Sequence, residues 1–188
     1  MLANVKTVLM KNARRYFPRT MRRLLREQDG AAAIEFSLVA LPFLGLVFAI
    51  METAIVFFAG QTLEAAVADS SRLIMTGQAQ TQSLSQSTFK NQVCSRIFGL
   101  FDCTNGVSVD VKTYTSFASV NVTSPVTNGQ LDTAGFTYQP GGPGDIVVVR
   151  LYYQWPVYVS LLGLNLNDLT GNKRLLVATA AFRNEPYQ

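Results

Sequence analysis

The apolar run that begins at Ala31 limits the possible folds of this chain more than any other feature does. No charged residue interrupts positions 36–51, and positions 53–60 are mostly apolar again after Glu52. From Ala31 to Met51, a helix rising about 1.5 Å per residue would be roughly 31 Å long, close to the hydrocarbon thickness of a bilayer. The sequence therefore predicts one transmembrane helix, and the lipid bilayer is its first expected partner.

The residues in front of this helix indicate its orientation. Residues 1–30 contain eight basic and two acidic side chains and so carry +6, and because the whole chain carries +4, the remainder carries −2. Basic residues beside a membrane helix stay in the cytoplasm, so we expect a cytoplasmic N terminus. A nucleic-acid-binding arm is the alternative for such a basic cluster. Because the membrane segment follows the cluster directly, we interpret the basic residues as a signal for membrane topology and expect no nucleic-acid partner.

Glu35 is a carboxylate close to the start of the membrane segment and five residues after Gly30. At the bilayer centre a carboxylate costs roughly 2.5–3.5 kcal/mol on insertion scales, so such a residue usually has a function. The alternative is that Glu35 merely extends to the membrane interface. An ordinary secretory signal is the alternative for the whole segment, but the apolar core of such a signal has about 7–15 residues. The run in this chain is longer and ends without a convincing cleavage site.

The residues around Gly30 resemble a type IV prepilin processing site. A basic leader ends at Gly30, Glu35 is the fifth residue after it, Phe36 is the sixth, and an apolar helix follows. The sequence GAAAIEFSLVALP from Gly30 onward is most similar to the TadE-like pseudopilins of bacterial tight-adherence (Flp, type IVb) pilus systems. Residues 145–151 and 178–187 resemble the C-terminal strands of that family, so the resemblance extends over most of the chain.

The resemblance implies a processing site and a set of partners. A prepilin peptidase would cleave between Gly30 and Ala31, and the new ammonium group on Ala31 would lie near Glu35, which would serve assembly together with Phe36. Other pilins and pseudopilins, and an inner-membrane pilus assembly platform, would be the further partners. The chain would lie in the bacterial inner membrane as a single-pass protein, with a cytoplasmic N terminus and a periplasmic C-terminal domain.

The function implied by the resemblance is that of a minor pseudopilin in pilus biogenesis, adhesion and biofilm formation. The alternative that remains open is an uncleaved single-pass inner-membrane protein with a periplasmic assembly or binding domain. The state of the N terminus would distinguish the two, because only the pseudopilin loses its leader.

The predicted organisation has three parts. They are a basic cytoplasmic leader (1–30), a transmembrane and stalk helix (31–77) and a periplasmic α+β head (78–188). Apolar residues recur every three or four positions over 61–76, which predicts that the helix continues beyond the membrane with one apolar face, until Gly77 ends it. Residues 78–88 are rich in Gln, Ser and Thr and are predicted to be a linker, in which Ser87 would cap a short second helix.

After Cys103 the composition becomes typical of β-strands. β-branched and aromatic residues predict four strands, at positions 107–115, 120–123, 146–157 and 174–183. Turns are predicted at Asn128-Gly129 and at 141–144. No crossover of helix length separates these strands, so we expect an antiparallel sheet. The predicted fold class is α+β and pilin-like, with a long N-terminal helix packed on a small antiparallel sheet.

Cys94 and Cys103 are the only cysteines of the chain. In a periplasmic domain we expect them to form an intramolecular disulfide. Closing a loop of about ten residues would stabilise the fold by roughly 2–3 kcal/mol. The alternatives are weaker because the chain has no histidine. Two thiols cannot supply the four ligands of a structural zinc site, and a catalytic thiol would lack an imidazole base.

The lack of histidine also argues against an enzyme. It excludes a Ser-His-Asp triad and a His-based metal site. The carboxylates after residue 60 are scattered singly, without the spacing of a paired acid and base. The glycines at 141–144 are not a phosphate-binding loop, because no Lys-Ser or Lys-Thr follows them. We therefore expect no catalytic residue, no bound metal and no cofactor.

Two apolar groups in the C-terminal part leave alternatives open. The first is an aromatic group, which would either divide between the core and the sheet surface or form a sugar-binding face. Its members are Tyr152, Tyr153, Trp155 and Tyr158. The second group lies within 159–169 and would pack on the helix, touch the outer leaflet of the inner membrane, or contact another pseudopilin.

Overall fold

The computed structural model describes three stretches of the chain and one further residue. They are residues 30–97, 99, 101–158 and 166–187. The predicted leader up to residue 29 and residues 159–165 of the apolar connection lie outside the described residues. Contacts divide the chain into two compact units, residues 1–47 and 48–188.

In the first unit, the described structure is the beginning of helix α1, which extends from Ala31 to Met75. The side chains are predominantly apolar, and they are exposed all around the helix. The large exposed apolar ones in this unit are Ile34, Phe36, Leu38, Val39, Leu41, Phe43, Leu44 and Leu46. Pro42 lies inside the helix without ending it. A helix that is apolar on all sides is suited to lipid or to burial by other helices.

In the second unit, the part of α1 from Phe48 to Met75 has one buried face. Its buried positions recur at three- and four-residue spacing, as expected for a stripe along a helix. They are Ala49, Glu52, Val56, Ala59, Leu63, Ala66, Val67, Ser70, Ser71 and Ile74. The apolar face predicted over 61–76 is therefore confirmed.

Short elements connect α1 to the sheet of the second unit. The helices are α2 (Gln78–Thr81), α3 (Gln86–Cys94) and α4 (Cys103–Gly106). The strands, in chain order, are β1 (Val107–Tyr114), β2 (Val126–Thr127), β3 (Gln130–Leu131), β4 (Ile146–Pro156) and β5 (Lys173–Arg183). Gly77, with φ +78°, lies between α1 and α2, where a side chain would collide with the ring of Tyr187.

Strands β1, β4 and β5 form one antiparallel sheet with β4 in the centre. In this register, Val149 lies opposite Val111 on one side and Ala180 on the other. Alternate side chains, such as Leu151 and Ala178, point into the same buried core as Leu63 of α1. The predicted α+β fold, a long helix packed on a small antiparallel sheet, is thus confirmed.

Two hydrogen bonds establish the direction of α1 along this sheet. The Glu52 Oε1 atom accepts the N–H of Tyr158, 2.5 Å away and just beyond the end of β4. At the other end of the helix, the N–H of Glu185, just beyond β5, donates to the Met75 carbonyl at 2.8 Å. From Glu52 to Met75, α1 therefore runs in the same direction as β5 and opposite to β4.

Strands β2 and β3 form a separate hairpin around the predicted Asn128-Gly129 turn. Both turn residues have positive φ, +53° and +71°. Two consecutive residues of this kind fit a type I′ turn, which matches the twist of the flanking strands. The turn prediction is confirmed.

The strand predicted at 120–123 is wrong, since these residues have no regular structure. Their carbonyls are bonded to side chains instead of to a strand. The Tyr114 hydroxyl donates to the Asn121 carbonyl at 3.4 Å, and Arg150 Nη1 donates to the Thr123 carbonyl at 3.3 Å. Pro125 follows and has no N–H to offer a ladder.

The prediction that Ser87 caps the short helix after the stalk, which is α3 in the structure, is also wrong. Ser85 is the cap, and its hydroxyl accepts the N–H of Thr88 at 3.2 Å. Ser85 has the extended backbone that an N-cap requires, with φ −74° and ψ 163°, whereas Ser87 already lies inside the first turn of α3.

The predicted linker at 78–88 is in fact structured and packed. It contains α2 and the beginning of α3. Ala79 is buried in the core, and Gln80 Nε2 donates to the Pro140 carbonyl at 2.9 Å. Side-chain amides therefore attach this polar segment to the rest of the unit, a mode of packing that counting apolar residues does not detect.

The face of the sheet that points away from α1 contains a buried ion pair. Asp110 of β1 is fully buried, and its Oδ2 atom lies 2.6 Å from Arg150 Nη2 of β4. The other carboxylate oxygen accepts the N–H of Thr137 at 2.9 Å. The Arg150 guanidinium also lies over the Tyr152 ring, 5.8 Å from its centre. This pair fastens the loop before β4 to the outer face of the sheet.

The predicted disulfide between Cys94 and Cys103 is confirmed, with Cα atoms 5.5 Å apart. It joins the end of α3 to the start of α4. Asp102 caps α4, and its carboxylate accepts from both the side chain and the backbone of Asn105. These hydrogen bonds, the side-chain one foremost, lower the pKa of Asp102 below its ordinary value.

Candidate functional site

The predicted cleavage position lies at the beginning of a secondary-structure element. Gly30 directly precedes Ala31, the first residue of α1. The first four N–H groups of a helix have no carbonyl partner inside it. Breaking the bond between these two residues would therefore remove only carbonyl acceptors that precede Ala31, and the ladder formed by the residues from Ala31 onward could remain intact.

Glu35 and Phe36 lie one turn further along α1, and both are exposed. Phe36 is 74% exposed. Among the described residues, no hydrogen bond or ion pair reaches the Glu35 carboxylate. Position 35 follows position 31 by four residues, a rise of about 6 Å along one face of the helix. A charge placed on the amino group of Ala31 would therefore lie close to this carboxylate.

The exposed apolar surface around these residues is long. Helix residues Ala32–Met75 meet the length and composition of a membrane span, with mean hydropathy 2.2 over their best 18-residue window. Only 6% of that window is buried. This criterion uses length and composition alone, and it agrees with the predicted transmembrane helix.

Glu52 is a residue whose role the sequence did not reveal. Its side chain is only 8% exposed and belongs to the buried stripe of α1. Its carboxylate accepts the N–H of Tyr158. The signal was present in the spacing, because Glu52 precedes Val56 and Ala59 by four and seven residues on one helix face.

Because Glu52 is turned inward, the apolar exterior of α1 continues beyond it. Phe57 is 68% exposed and Phe58 is 63% exposed, while Tyr158, next to Glu52, is 82% exposed. Aromatic side chains are enriched where a membrane helix leaves the hydrocarbon region. The membrane boundary expected at the C-terminal end of the apolar segment therefore lies nearer Phe58 than Glu52.

The aromatic residues of β4 do not form a common binding face. Tyr152 is buried and stacks on Phe136 with ring centres 4.9 Å apart, whereas Tyr153 packs on Phe101 at 4.3 Å. Consecutive strand residues point to opposite faces. Burial raises the pKa of both tyrosines. The rings thus divide between two faces of the sheet, which favours the packing interpretation over the sugar-binding one.

The described residues also contain no group of three or more His, Cys, Asp or Glu side chains placed to hold a metal ion. Of the predicted site residues, the structure brings Cys94 and Cys103 together. It places Ala31, Glu35 and Phe36 within the first two turns of α1, directly after Gly30. The chemistry such a helix start can offer is association through apolar contact and charge pairing.

Comparison with known proteins adds one finding. The family model described as TadE-like protein matches residues 30–72. No curated protein and no solved structure matches the chain. The matched segment begins at Gly30 and includes Glu35, Phe36 and the apolar length of α1. The likeness predicted for 145–187 lies outside this match and stays a prediction. The predicted resemblance to TadE-like proteins is therefore confirmed over residues 30–72, and this match supports involvement in tight-adherence pilus systems.

Proposed function

We propose that the chain is a minor pseudopilin of a tight-adherence pilus, and that it acts in pilus biogenesis, adhesion and biofilm formation. The observation that carries the proposal is the start of the TadE-like match at Gly30, where a basic leader meets an exposed apolar helix. A helix that exposes Phe36, Leu41 and their neighbours cannot remain in water. In the proposal, lipid covers it before assembly and the helices of other pilins cover it afterwards.

Prepilin peptidase is the first partner in this proposal. It would cut between Gly30 and Ala31 on the cytoplasmic side of the inner membrane, where the leader charge of +6 holds the N terminus. The new ammonium group on Ala31 would then lie one helical turn from Glu35. In a low dielectric, an ammonium group stabilises a carboxylate and offsets part of its desolvation.

The ammonium that pairs with Glu35 can come from the same chain or from a neighbouring subunit. Pairing between subunits would set the position of one helix along the next, because a slip of one residue separates the charges. Other pilins and pseudopilins at the inner-membrane assembly platform are the partners that this interaction would select. The role is structural, and it requires no catalytic residue, metal or cofactor.

The test of processing is the mass of the full-length protein extracted from membranes of a host that has the peptidase. We expect an N terminus at Ala31, and we expect Gly30→Ala to retain the leader. A leader kept by the unaltered protein in such a host would contradict the proposal. That result would favour an uncleaved single-pass protein with a periplasmic assembly or binding domain.

The test of assembly is the Glu35→Ala variant, with Glu64→Ala as the matched control. Both residues are exposed on α1, but Glu64 lies outside the apolar segment, and its Oε2 atom accepts a hydrogen bond from Gln61 Nε2 at 3.3 Å. We expect Glu35→Ala to be processed normally and yet to be lost from sheared pili, while Glu64→Ala retains assembly. Equal assembly of the two variants would remove the charge-pairing step from the proposal.

A further inference from the structure

The two edges of the three-stranded sheet differ in how many of their main-chain groups are hydrogen-bonded. The β1 edge is covered by the loop that precedes β4. Val111 donates its N–H to the Thr137 carbonyl at 2.8 Å and accepts the N–H of Gln139 at 2.9 Å. Gln86 Nε2 donates to the Val109 carbonyl at 2.8 Å. This edge therefore has few main-chain groups left for another strand.

Within the part of the chain that the structure describes, no main-chain partner covers the centre of the β5 edge. Even-numbered residues of this strand direct their main-chain groups to β4, as the bond from Asn184 N to the Asp145 carbonyl (2.8 Å) indicates. Odd-numbered residues direct theirs outward, as the bond from Leu175 N to Asp168 Oδ1 (2.7 Å) indicates. Among the described residues, no hydrogen bond reaches the outward N–H and C=O groups of Val177, Thr179 and Ala181.

The side chains along this edge leave the main chain accessible. Val177 is 46% exposed, and Thr179 and Ala181 are exposed as well. Residues 175–182 contain neither a charge nor a proline. Natural sheets usually protect a bare edge with a central lysine, a proline or a bulge, because such an edge is a template for another strand. This strand has basic residues only near its ends.

We propose that the β5 edge binds an extended strand of a different subunit of the same assembly, through main-chain hydrogen bonds. This inference rests on the proposed function for the identity of the assembly. The strand would be uncharged where it faces Val177 and Ala181. It would carry an acidic residue at the end that meets Lys173 and Arg174. At the opposite end, Arg183 and Glu185 balance each other.

A second copy of this chain does not fit the edge. Antiparallel pairing of two β5 strands requires a two-fold axis perpendicular to the sheet, which reverses every direction within the sheet plane. Since residues 52–75 of α1 run along β5, the two copies would place their exposed Phe57 and Phe58 side chains at opposite ends of the paired sheets, and one membrane surface could not meet both sets. Pairing with the β1 edge of a copy is obstructed by residues 137–139.

The first experiment is photo-crosslinking of the full-length protein in membranes of its own host. A benzophenone amino acid replaces Val177, and the matched control replaces Phe117, which is exposed beyond the end of β1. We expect position 177 to crosslink to an uncharged segment with an acidic flank in another pilin-like subunit, and position 117 not to do so. Crosslinks from 177 to a second copy, or to lipid alone, would overturn the proposal.

The second experiment removes one outward N–H. Thr179→Pro takes away a donor that β4 does not use, a place where sheets tolerate proline, and Thr179→Val is the control that retains the donor. We expect the proline variant to reduce the crosslink from position 177 by roughly tenfold and the valine variant to retain it. An undiminished crosslink in the proline variant would refute main-chain pairing. Disulfide formation on a non-reducing gel reports that each variant has folded.

The third experiment tests the charged end. Lys173→Glu should weaken the crosslink severalfold, because it places like charges opposite each other, and unchanged crosslinking would exclude an acidic flank. In all three experiments, leader removal at Gly30 is measured in parallel. Normal processing without crosslinking at 177 would overturn this inference and leave the proposed function intact, whereas absent processing would count against the proposed function itself.

Discussion

The two parts of helix α1 have the same backbone conformation but different surroundings. In residues 32–47, large apolar side chains such as Leu41 (74% exposed) are open on all sides. In residues 49–74, a stripe that includes Leu63 (0% exposed) is buried against the sheet. The contrast teaches that apolar content alone does not say where a helix is buried. The spacing of the apolar residues does indicate burial, because residues repeating every three or four positions form a stripe that can pack against one partner.

The largest expected effect is on the free energy of unfolding, and it is tested with one substitution in each part of α1. Leu63→Ala should lower the free energy of unfolding of the second unit by roughly 2–5 kcal/mol, because it leaves a cavity in a closed core. Leu41→Ala removes the same atoms from an exposed position and should leave that free energy unchanged. The measurement is denaturant unfolding of the full-length protein in detergent, followed by Trp155 fluorescence. Equal losses in both variants would abolish the distinction between the two parts of α1.

The disulfide should affect only the second unit. Replacing Cys94 and Cys103 together with serine should cost roughly 2–3 kcal/mol of unfolding free energy, since the open loop gains conformational entropy in the unfolded chain. Helical content measured by circular dichroism in detergent should stay close to that of the unaltered protein, because α1 does not depend on the bond. A large loss of helix would show that the two parts of α1 are coupled through the sheet.

Glu35 and Glu52 of α1 allow the same comparison with charged side chains. Glu52→Ala removes a carboxylate that accepts the Tyr158 N–H, so the second unit should lose roughly 1.5–3 kcal/mol. Glu35→Ala should leave unfolding unchanged and affect only assembly. Thermal unfolding of the two variants side by side is the check. If Glu52→Ala is as stable as the unaltered protein, other contacts hold α1 against the end of β4.

The smallest effect concerns Tyr138, whose hydroxyl is buried without a hydrogen-bond partner among the described residues. Burial raises its pKa to about 12, because the phenolate loses hydration. The folded pKa lies above the unfolded one, so the stability from this group is present below about pH 10 and is lost as the pH rises towards 12. Tyr138→Phe should be neutral or slightly stabilising at pH 7.

The same Tyr138→Phe variant should lose less stability than the unaltered protein between about pH 10 and pH 12. Unfolding curves collected across this range, with ultraviolet absorption reporting tyrosine ionisation, provide the measurement. Parallel pH profiles for the two proteins would show that Tyr138 ionises without cost in the folded state.

Much of the architecture was predictable because it is recorded in local sequence. The observed strands Val107–Tyr114, Ile146–Pro156 and Lys173–Arg183 end within one residue of their predicted bounds. The type I′ turn at Asn128-Gly129 and the pairing of Cys94 with Cys103 follow from residue chemistry over short distances. The errors arose where side chains bond across the fold, as at 120–123 and 78–88, since polar composition resembles a loop whether or not the segment packs.

The sequence by itself determined the apolar helix, the basic segment before it, the position of Glu35 after Gly30 and the strands of an α+β fold. Each depends on neighbours no more than a few residues apart. Only the tertiary structure decided that the Glu52 carboxylate accepts the N–H of Tyr158, that Asp110 pairs with Arg150, and that no described residue pairs with the centre of the β5 edge. These depend on residues 40 or 106 positions apart, or on which strands become neighbours. Such proximity is created by folding and has no local signature.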